Sequence, residues 1–517
     1  MRTSDLPAPS SVVNRLSGQL RNSRFAVAVA MAMLPVALVT GRHLGSDANF
    51  DLLSYHAYIG EAALARRWSS DIAPAGLGSF HNPLFDLPGA LALRHSVQFF
   101  TAWLSIEQWL CWLSLWWFVR VVLRERDRST QLLALIFALT GSAAMSLSIT
   151  SFVDWPVAAL LLASLTAALS FREHHLIGSP QTSRLLVVSG LFGAGAVAAK
   201  LTATSFLIGL FAVVLVVARR LAWKWLAGFA ACTAALCLPW WIYLQRRFSN
   251  PLFPYYNQVF KSPDGPVGSF DDTRFGAGSL QDFVRFPIDF ARGTSRYSEL
   301  PYRDLRWILV IVTIVAWSTR QRGTLTELRT WRMIGVFAGI GYLQWLVSFG
   351  IYRYALILEL IASVFLIAAA IALVPKIQPV ALAFGLSLTL AFQISPNWGR
   401  STPLRVKLPV TSGQRVLFAD MGPSAYLVNS VTPDTKLASI QGFAYGLFSL
   451  EGSLGRDLDR FVKDGLSDGS LRIVINPAAD LQPIVKQLGI APDLPNCAGF
   501  AGPFGSLAVC PAIAAGS

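Results

Sequence analysis

Apolar windows of about 15 to 27 residues recur along the chain between Phe25 and Ile394, and short basic loops separate many of them. Because a helix needs about 20 apolar residues to cross the hydrocarbon core of a bilayer, this pattern predicts about eleven transmembrane helices. The predicted helices cover residues 25–40, 97–123, 131–149, 155–170, 185–199, 204–217, 225–244, 307–317, 333–349, 356–374 and 380–394.

Two long segments, residues 41–95 and 245–306, interrupt the apolar pattern, and from Ser395 onward the pattern changes. Short β-like runs at Arg415–Asp420 and Leu471–Asn476 alternate there with amphipathic stretches, which is typical of a small α/β domain. The amphipathic stretches lie near 457–463 and 481–488. The sequence therefore predicts an N-terminal tail (1–24), an all-α polytopic membrane domain (25–394) and a C-terminal α/β domain (395–517).

Composition supports a membrane protein, since 54% of residues are hydrophobic and 14% are charged, whereas a soluble domain carries about a quarter charged residues. The net charge of +14 does not indicate nucleic acid, because the basic residues lie in short loops between apolar windows. The positive-inside rule then places the N-terminus in the cytoplasm and both long segments and the C-terminal domain outside. We expect a multi-pass protein of the inner (plasma) membrane, with its first apolar window retained rather than cleaved as a signal peptide.

Cys497 and Cys510 are the only cysteines of the C-terminal domain. A disulfide between them requires an oxidising compartment. The helix count places this domain outside the cell by an independent argument, so we predict the Cys497–Cys510 disulfide.

Candidate chemistry lies at the predicted outer ends of the helices. Ionisable residues at membrane depth are costly, and those that occur usually face a cavity or a pathway. For any one of them, a solvated or interfacial side chain is the alternative interpretation. The candidates are Asp47, Asp51, His56, His81, Asp154, Lys200, Arg246, Arg247 and Arg353.

The first outer segment is the most informative part of the sequence. Asp51, Tyr55 and Tyr58 repeat at i, i+4 and i+7, which predicts one face of a helix lying along the membrane surface. Since Asp51 stands at the head of this helix, an N-cap is the alternative role of its carboxylate.

The sequence resembles the GT-C superfamily of membrane glycosyltransferases. The resemblance rests on these residues of the first outer segment, on the run Asn250–Asn257 in the second outer segment and on the triplet Tyr352–Tyr354. The resemblance covers about residues 25–394. It is strongest to glycosyltransferase family 87 and the dolichyl-phosphate-mannose mannosyltransferases. Many relatives carry a paired Asp-Glu in the first outer loop, where this chain has Asp51 followed by Leu52.

The resemblance implies an enzyme that moves a hexosyl or pentosyl group from a polyprenyl-phosphate donor to an extracytoplasmic glycolipid, polysaccharide or protein. Asp51 is then the base, with Asp47 and Asp154 as further candidates. Arginine offers a bidentate fork to phosphate, which favours Arg353, followed by Lys200 and Arg246. The remaining substrate-binding candidates are Arg247, Tyr55, Tyr58, His56, His81, Asn82 and Tyr255.

Other functions stay open. A flippase or transporter for lipid-linked saccharides would have charges near the membrane midplane, and a polysaccharide polymerase often carries paired arginines, as at Arg246–Arg247. No P-loop is present, which argues against nucleotide hydrolysis. We expect no cofactor; His56, His81 and the acidic residues leave a divalent metal open, although no compact ligand spacing of the HExxH type occurs.

Overall fold

The computed structural model describes residues 9–176, 183–266, 272–320, 325–374, 379–400, 404–419, 422–442, 446–447, 452–477, 488–502 and 505–515. In chain order its helices are α1 (Pro9–Leu44), α2 (Ala57–Ala65), α3 (Leu87–His95), α4 (Val97–Val122), α5 (Arg128–Leu139), α6 (Ser142–Ser146), α7 (Asp154–Leu176), α8 (Arg184–Ala199), α9 (Thr204–Ala218), α10 (Ala222–Leu236), α11 (Leu238–Phe248), α12 (Asn257–Phe260), α13 (Leu280–Arg292), α14 (Arg306–Arg320), α15 (Leu325–Ser348), α16 (Leu356–Leu373), α17 (Pro379–Ala391) and α18 (Ser453–Ser467).

Within these described ranges, four stretches are long and apolar enough to cross a membrane. They are Ser23–Leu44, Asp154–Arg172, Leu201–Leu236 and Tyr352–Leu373, and shorter apolar helices accompany them. The predicted number of eleven crossings stays a prediction.

The helices differ in how much of their surface other helices cover. In the apolar window of α1 only 17% of the residues are buried, and Val27, Met31 and Val39 are more than half exposed. Such apolar surface is suited to lipid. By contrast, 94% of the residues in the apolar window of α7 are buried, as are 72% of those in the apolar window of Tyr352–Leu373, which contains α16. These two helices form the centre of the bundle. Asp154 is the first residue of α7, and Arg353 lies just before the first residue of α16.

Two predicted helices are broken, for identifiable reasons. The predicted helix 131–149 becomes α5 and α6, because Gly141 lies between them against the Glu359 carboxylate, where a Cβ atom would overlap it. Glu359 accepts hydrogen bonds from the backbone N–H groups of Ala143 and Ala144, both at 2.9 Å. The predicted helix 225–244 becomes α10 and α11, with the break at Cys237, just before Pro239. Proline has no N–H and disrupts a continuous helix.

The C-terminal domain is built on a mixed sheet. Its strands are β1 (Arg415–Phe418), β2 (Lys436–Ser439), β3 (Gln441–Gly442), β4 (Gly446–Leu447), β5 (Leu471–Ile475), β6 (Ile490–Pro492), β7 (Ala498–Gly502) and β8 (Gly505–Ala514). The sheet order is β2-β1-β5-β8-β6, with β7 also paired to β8, and β3 and β4 form a separate ribbon. Strand β1 is parallel to β2 and β5, whereas β8 is antiparallel to its partners. The predicted amphipathic stretch 481–488 lies, except for its last residue, outside the described residues.

The C-terminal domain packs against the first outer segment. The backbone N–H of Ile72 donates to Leu437 O at 2.8 Å, and that of Ser439 donates to Ile72 O at 3.2 Å, so Ile72 extends the β2 edge. Arg67 and Asp71 form an ion pair at 2.8 Å and strengthen the same contact. Arg67 donates to the Thr435 carbonyl, and Asp71 accepts a hydrogen bond from the backbone N–H of Leu437. A disulfide joins Cys497 to Cys510 of β8.

Candidate active site

The first outer segment turns into the site through a π-helical turn, Leu52–His56, between Asp51 and α2. A π-turn bonds residue i to i+5 rather than i+4, so it brings His56 around to the side of Asp51. The prediction that Asp51, Tyr55 and Tyr58 share one α-helical face is therefore wrong for Tyr58. Asp51, Tyr55 and His56 line one cavity, while Tyr58 points away and hydrogen-bonds Asp71.

Asp51 does not act as a helix cap. Its side chain makes no capping hydrogen bond, which corrects that alternative. Instead, Oδ2 of Asp51 accepts a hydrogen bond from Nη1 of Arg353 at 3.1 Å, and the Tyr55 hydroxyl also bonds to this carboxylate.

Four ionisable residues from four parts of the chain converge here. Nη1 of Arg353 lies 3.5 Å from Oδ2 of Asp154, and Nζ of Lys200 lies 2.8 Å from Oδ1 of the same carboxylate. Lys200 also donates to the backbone carbonyl of Phe152 at 3.1 Å. The resulting chain of alternating charge, called the charge cluster below, runs Asp51, Arg353, Asp154, Lys200.

Aromatic rings enclose both cations of the charge cluster. The guanidinium carbon of Arg353 lies 4.5 Å from the centre of the Phe152 ring and 4.9 Å from that of Tyr354. The ammonium of Lys200 lies 4.5 Å from the Tyr354 ring centre. Such contacts stabilise a desolvated cation while leaving its N–H donors available. Among the described residues, Nε of Arg353 has no hydrogen-bond partner.

Hydrogen bonds and close packing hold the turn that carries Arg353 in place. The Tyr352 hydroxyl donates to Glu359 and accepts a hydrogen bond from Nε1 of Trp307 at 2.9 Å. Gly350, just before the turn, has φ +63° and packs against the Phe275 carbonyl, where a Cβ atom would overlap it. Arg353 therefore projects from a rigid support.

The cations determine the ionisation of Asp51. Burial alone would raise the pKa of this carboxyl, but the charges of Arg353 and Lys200 outweigh burial and hold the pKa below its ordinary value. Asp51 is therefore a carboxylate at neutral pH, and it becomes more basic if a ligand anion takes over Arg353.

The charge cluster opens into a cavity of about 950 Å³. One wall is aromatic and comes from α11 and the two outer segments, with Phe80, Trp240 and Tyr255 among its residues. Other lining residues belong to the C-terminal domain and include Phe418 and Ser439. The cavity therefore lies where the helix ends that carry the charge cluster meet the C-terminal domain.

Two histidines line the cavity in different states of pairing. Nε2 of His81 lies 3.2 Å from the Tyr255 hydroxyl, and burial lowers the pKa of His81 to about 4, so this imidazole is neutral at physiological pH. Nδ1 of His56 lies 2.7 Å from Oδ1 of Asp86.

Several predicted residues lie outside the charge cluster. Asp47 is fully buried, burial raises its pKa, and its Oδ2 accepts hydrogen bonds from the backbone N–H and hydroxyl of Ser151 at 2.8 and 2.7 Å. It thus fixes the loop before Asp154. Arg246 is exposed on α11, and Arg247 donates to the Trp68 carbonyl at 3.3 Å.

Neither Arg246 nor Arg247 lines the cavity, so the paired arginines are not part of this site. Asn82 does line it, but its side chain accepts from Leu84 N at 3.2 Å and donates to Leu236 O at 3.0 Å. Within the described ranges, no group of three or more His, Cys, Asp or Glu side chains is arranged to hold a metal ion.

Sequence reasoning missed Asp86, Phe152 and the cavity wall formed by the C-terminal domain. Asp86 had a signal, because it is an acidic residue in the same outer segment as His56. Phe152 and the C-terminal wall had none, since an aromatic or a serine in those places has no distinguishing pattern.

No family model matches the chain, and a search of curated proteins found no match. Its structure is similar to the crystal structure of ArnT from Cupriavidus metallidurans bound to undecaprenyl phosphate, with a TM-score of 0.57 and 13% sequence identity over 94% of this chain and 97% of that one. ArnT in the apo state gives a TM-score of 0.54 and 13% identity, over 96% and 99% of the two chains.

The similarity establishes the fold. The chain has the same fold as ArnT, with a mainly helical membrane region and a small C-terminal sheet domain, and the sequence predicted this architecture. The assignment to glycosyltransferase family 87 stays a prediction.

Proposed function

We propose that this protein is a membrane glycosyltransferase that moves a sugar from a polyprenyl-phosphate donor to an extracytoplasmic acceptor. The observation that carries the proposal is the charge cluster on the 950 Å³ cavity. It combines two cations and a carboxylate on the wall of a space large enough for a sugar. The GT-C fold supports the same function, as does the undecaprenyl phosphate bound to ArnT.

The cations suit the phosphate of the donor. Arg353 and Lys200 both contact the Asp154 carboxylate, which holds the two cations close together. A phosphate that replaces the Asp51 carboxylate at Arg353 gains charge-assisted hydrogen bonds. These donors are held before the ligand arrives, so they can stabilise the charge that develops on the leaving phosphate.

The carboxylate suits the acceptor. As Arg353 turns to the phosphate, Asp51 is freed to accept the proton of an acceptor hydroxyl. The hydroxyl oxygen then bonds to the anomeric carbon, the bond from that carbon to the phosphate oxygen breaks, and its electron pair leaves with polyprenyl phosphate. A single displacement of this kind inverts the anomeric centre.

The C-terminal wall gives the acceptor a place to bind. Phe418 and Ser439 line the same cavity as the charge cluster, and their domain is tied to the first outer segment by the Ile72 contacts. The proposal includes no resident metal, because the positive charges of Arg353 and Lys200 neutralise the phosphate. We therefore expect turnover to persist in the presence of a strong chelator.

The proposal places the N-terminus in the cytoplasm and the C-terminal domain outside the inner membrane. The basic loops between apolar windows support this orientation. Reporter fusions after Arg332 and after Ser395 should report opposite sides of the membrane, and signals from the same side would refute it.

The experiment uses the purified protein in lipid nanodiscs. Undecaprenyl phosphate should raise the unfolding temperature by mass action, and a panel of labelled polyprenyl-phosphate sugars, supplied with an envelope lipid extract as acceptor, should include one that is consumed. Arg353→Ala should abolish both effects. Arg460→Ala is the matched control, because Arg460 lies on α18 and is 73% exposed. Wild-type protein that neither binds undecaprenyl phosphate nor consumes any donor contradicts the proposal.

A further inference from the structure

Helix α13 of the second outer segment connects the ends of two other helices. Just before α13, the backbone N–H of Ala277 donates to Leu346 O, near the end of α15, at 2.9 Å. The backbone N–H of Asp304, two residues before α14, donates to Phe290 O of α13 at 3.0 Å. Because α15 ends and α14 begins at these points, α13 lies across the helix ends, at the end of the bundle that carries the Arg353 turn.

One face of α13 is fixed against the bundle. Phe286 and Phe290 are fully buried. The centre of the Phe286 ring lies 5.3 Å from that of Trp345, and the centre of the Phe290 ring lies 4.2 Å from that of Tyr352. These contacts determine which side of α13 faces away from the protein.

The side that faces away divides into an apolar and a basic stripe. Leu280, Val284 and Ile288 recur every four residues and are 86%, 69% and 39% exposed; they are called the apolar stripe below. Arg285 and Arg292 are also exposed, and with 3.6 residues per turn they lie about 90° further round the helix. A contiguous row of exposed apolar side chains on one helix marks an interaction surface.

The apolar stripe continues a surface that is suited to lipid. Leu343 and Val347 on α15 are more than half exposed, and so are Val312 and Val315 on α14. These are the two helices whose ends α13 connects. Exposed apolar side chains on helices of this composition face acyl chains, so the neighbours of the apolar stripe favour lipid as its partner.

The charges on α13 suit a phospholipid surface. Asp282 is buried and pairs with Arg296, and Asp289 is half-buried. The fully exposed charges of the helix are therefore those of Arg285 and Arg292. An apolar stripe flanked by arginines is typical of helices that lie in the bilayer interface, where the cations attract anionic lipids.

We propose that α13 lies in the interface of the bilayer and binds anionic phospholipid. The apolar stripe inserts among the acyl chains, and the two arginines beside it bind the headgroup phosphates. Through the contact of Phe290 with Tyr352, the same helix connects the bilayer surface to the turn that carries Arg353. This lipid contact is independent of sugar transfer.

The first test measures the surroundings of the apolar stripe. A nitroxide spin label is attached at Val284→Cys in the full-length protein in phosphatidylglycerol nanodiscs, and Cys232→Ser removes the partly exposed native thiol. The label should collide more often with oxygen, which partitions into lipid, than with a water-soluble nickel chelate. The matched control is a label at Arg460→Cys on α18, where the native side chain is 73% exposed; it should show the opposite preference.

The second test concerns the two arginines. Phosphatidylglycerol in place of phosphatidylcholine in the nanodiscs should raise the unfolding temperature of the wild type, because the lipid binds the folded protein. The double variant Arg285→Gln/Arg292→Gln should reduce this rise. The double variant Arg460→Gln/Lys463→Gln removes the same charge from the exposed side of α18 and should leave the rise unchanged.

Each outcome decides one part of the proposal. A label at Val284→Cys that prefers the nickel chelate overturns the membrane contact. A label shielded from both reagents also overturns it, because protein then covers the apolar stripe, as a second copy of the chain would. Oxygen preference together with an unchanged lipid response of the Arg285→Gln/Arg292→Gln variant overturns the binding of anionic headgroups. Sugar transfer is not measured in either test, so these outcomes leave the proposed function to its own experiment.

Discussion

Two arginines at the N-terminal ends of packed helices are held in different ways. Arg306, at the start of α14, is fully buried. Its two terminal nitrogens have five acceptors: Asp304 at 2.8 Å, Gln393 at 3.2 Å, the Phe137 carbonyl at 3.3 Å, and the carbonyl and hydroxyl of Thr140 at 3.0 and 3.2 Å. Arg353, just before α16, reaches Asp51 at 3.1 Å and Asp154 at 3.5 Å.

The difference shows which buried charge is available to a ligand. Protein acceptors occupy both terminal nitrogens of Arg306, and Arg306 does not line the cavity. Arg353 lies on the cavity wall, with longer contacts to carboxylates that can exchange for a phosphate. Buried charge is therefore a weak indicator of function by itself; the number of acceptors and the access to a cavity distinguish the structural arginine from the functional one.

The largest expected effect concerns Asp51, the carboxylate that Arg353 leaves accessible. Asp51→Asn keeps the shape of the side chain and removes its basicity, so turnover should fall by about 10² to 10⁴-fold. Donor consumption by purified protein measures it. Asp459→Asn on α18, where the side chain is 48% exposed, is the matched control.

Near-normal turnover of the Asp51→Asn variant would move the base to another residue, with Asp154 as the first alternative. The thermal unfolding of the variant in detergent should stay close to that of the wild type, because Asn keeps the shape of the side chain and Asp154 still pairs with Arg353.

The second effect is on stability. Arg306→Ala leaves Asp304 as an uncompensated buried charge, which should lower the free energy of unfolding by about 3 to 5 kcal/mol. Arg353→Ala should be milder in thermal unfolding, since Lys200 still neutralises Asp154 and its charge also acts on Asp51, which lines the cavity. Equal destabilisation by the two variants would remove the distinction between the structural and the functional arginine.

The disulfide is a further structural element away from the charge cluster. Cys497 and Cys510 are separated by 13 positions, and a loop of that size contributes about 3 kcal/mol in the chain-entropy description. Replacing both by serine should destabilise the C-terminal domain. Alkylation of the unreduced protein followed by mass spectrometry should modify the partly exposed Cys232 and spare this pair; alkylation of both disulfide cysteines would contradict the bond.

The smallest effect compares two tyrosines of the π-turn and α2. Tyr55→Phe removes a hydrogen bond to the Asp51 carboxylate, which should reduce turnover about tenfold. Tyr58→Phe removes a bond to Asp71 and should affect stability instead, as measured by thermal unfolding. A larger loss of turnover in Tyr58→Phe than in Tyr55→Phe would support the original prediction that Tyr58 lies on the same face as Asp51.

The sequence by itself determined the elements and the membrane character. Apolar runs must be satisfied by helices in lipid, so α8, α9 and α16 begin and end within about two residues of their predicted bounds. The strands Arg415–Phe418 and Leu471–Ile475 likewise follow from local pattern. Residue chemistry and helix ends were enough to name Asp51, Lys200 and Arg353 as candidates, because charge at membrane depth is rare.

Only the tertiary structure decided which charges meet. Arg353 lies 302 residues from Asp51 and 199 from Asp154 along the chain, and no local periodicity specifies such a pairing. The central packing of α7 and α16 produces it. The π-turn is a shift of one residue that an i, i+4, i+7 pattern does not reveal, and it exchanged Tyr58 for His56 in the cavity. Distances between remote side chains depend on how whole helices pack, and that is why the partners Asp86 and Phe152 were not foreseen.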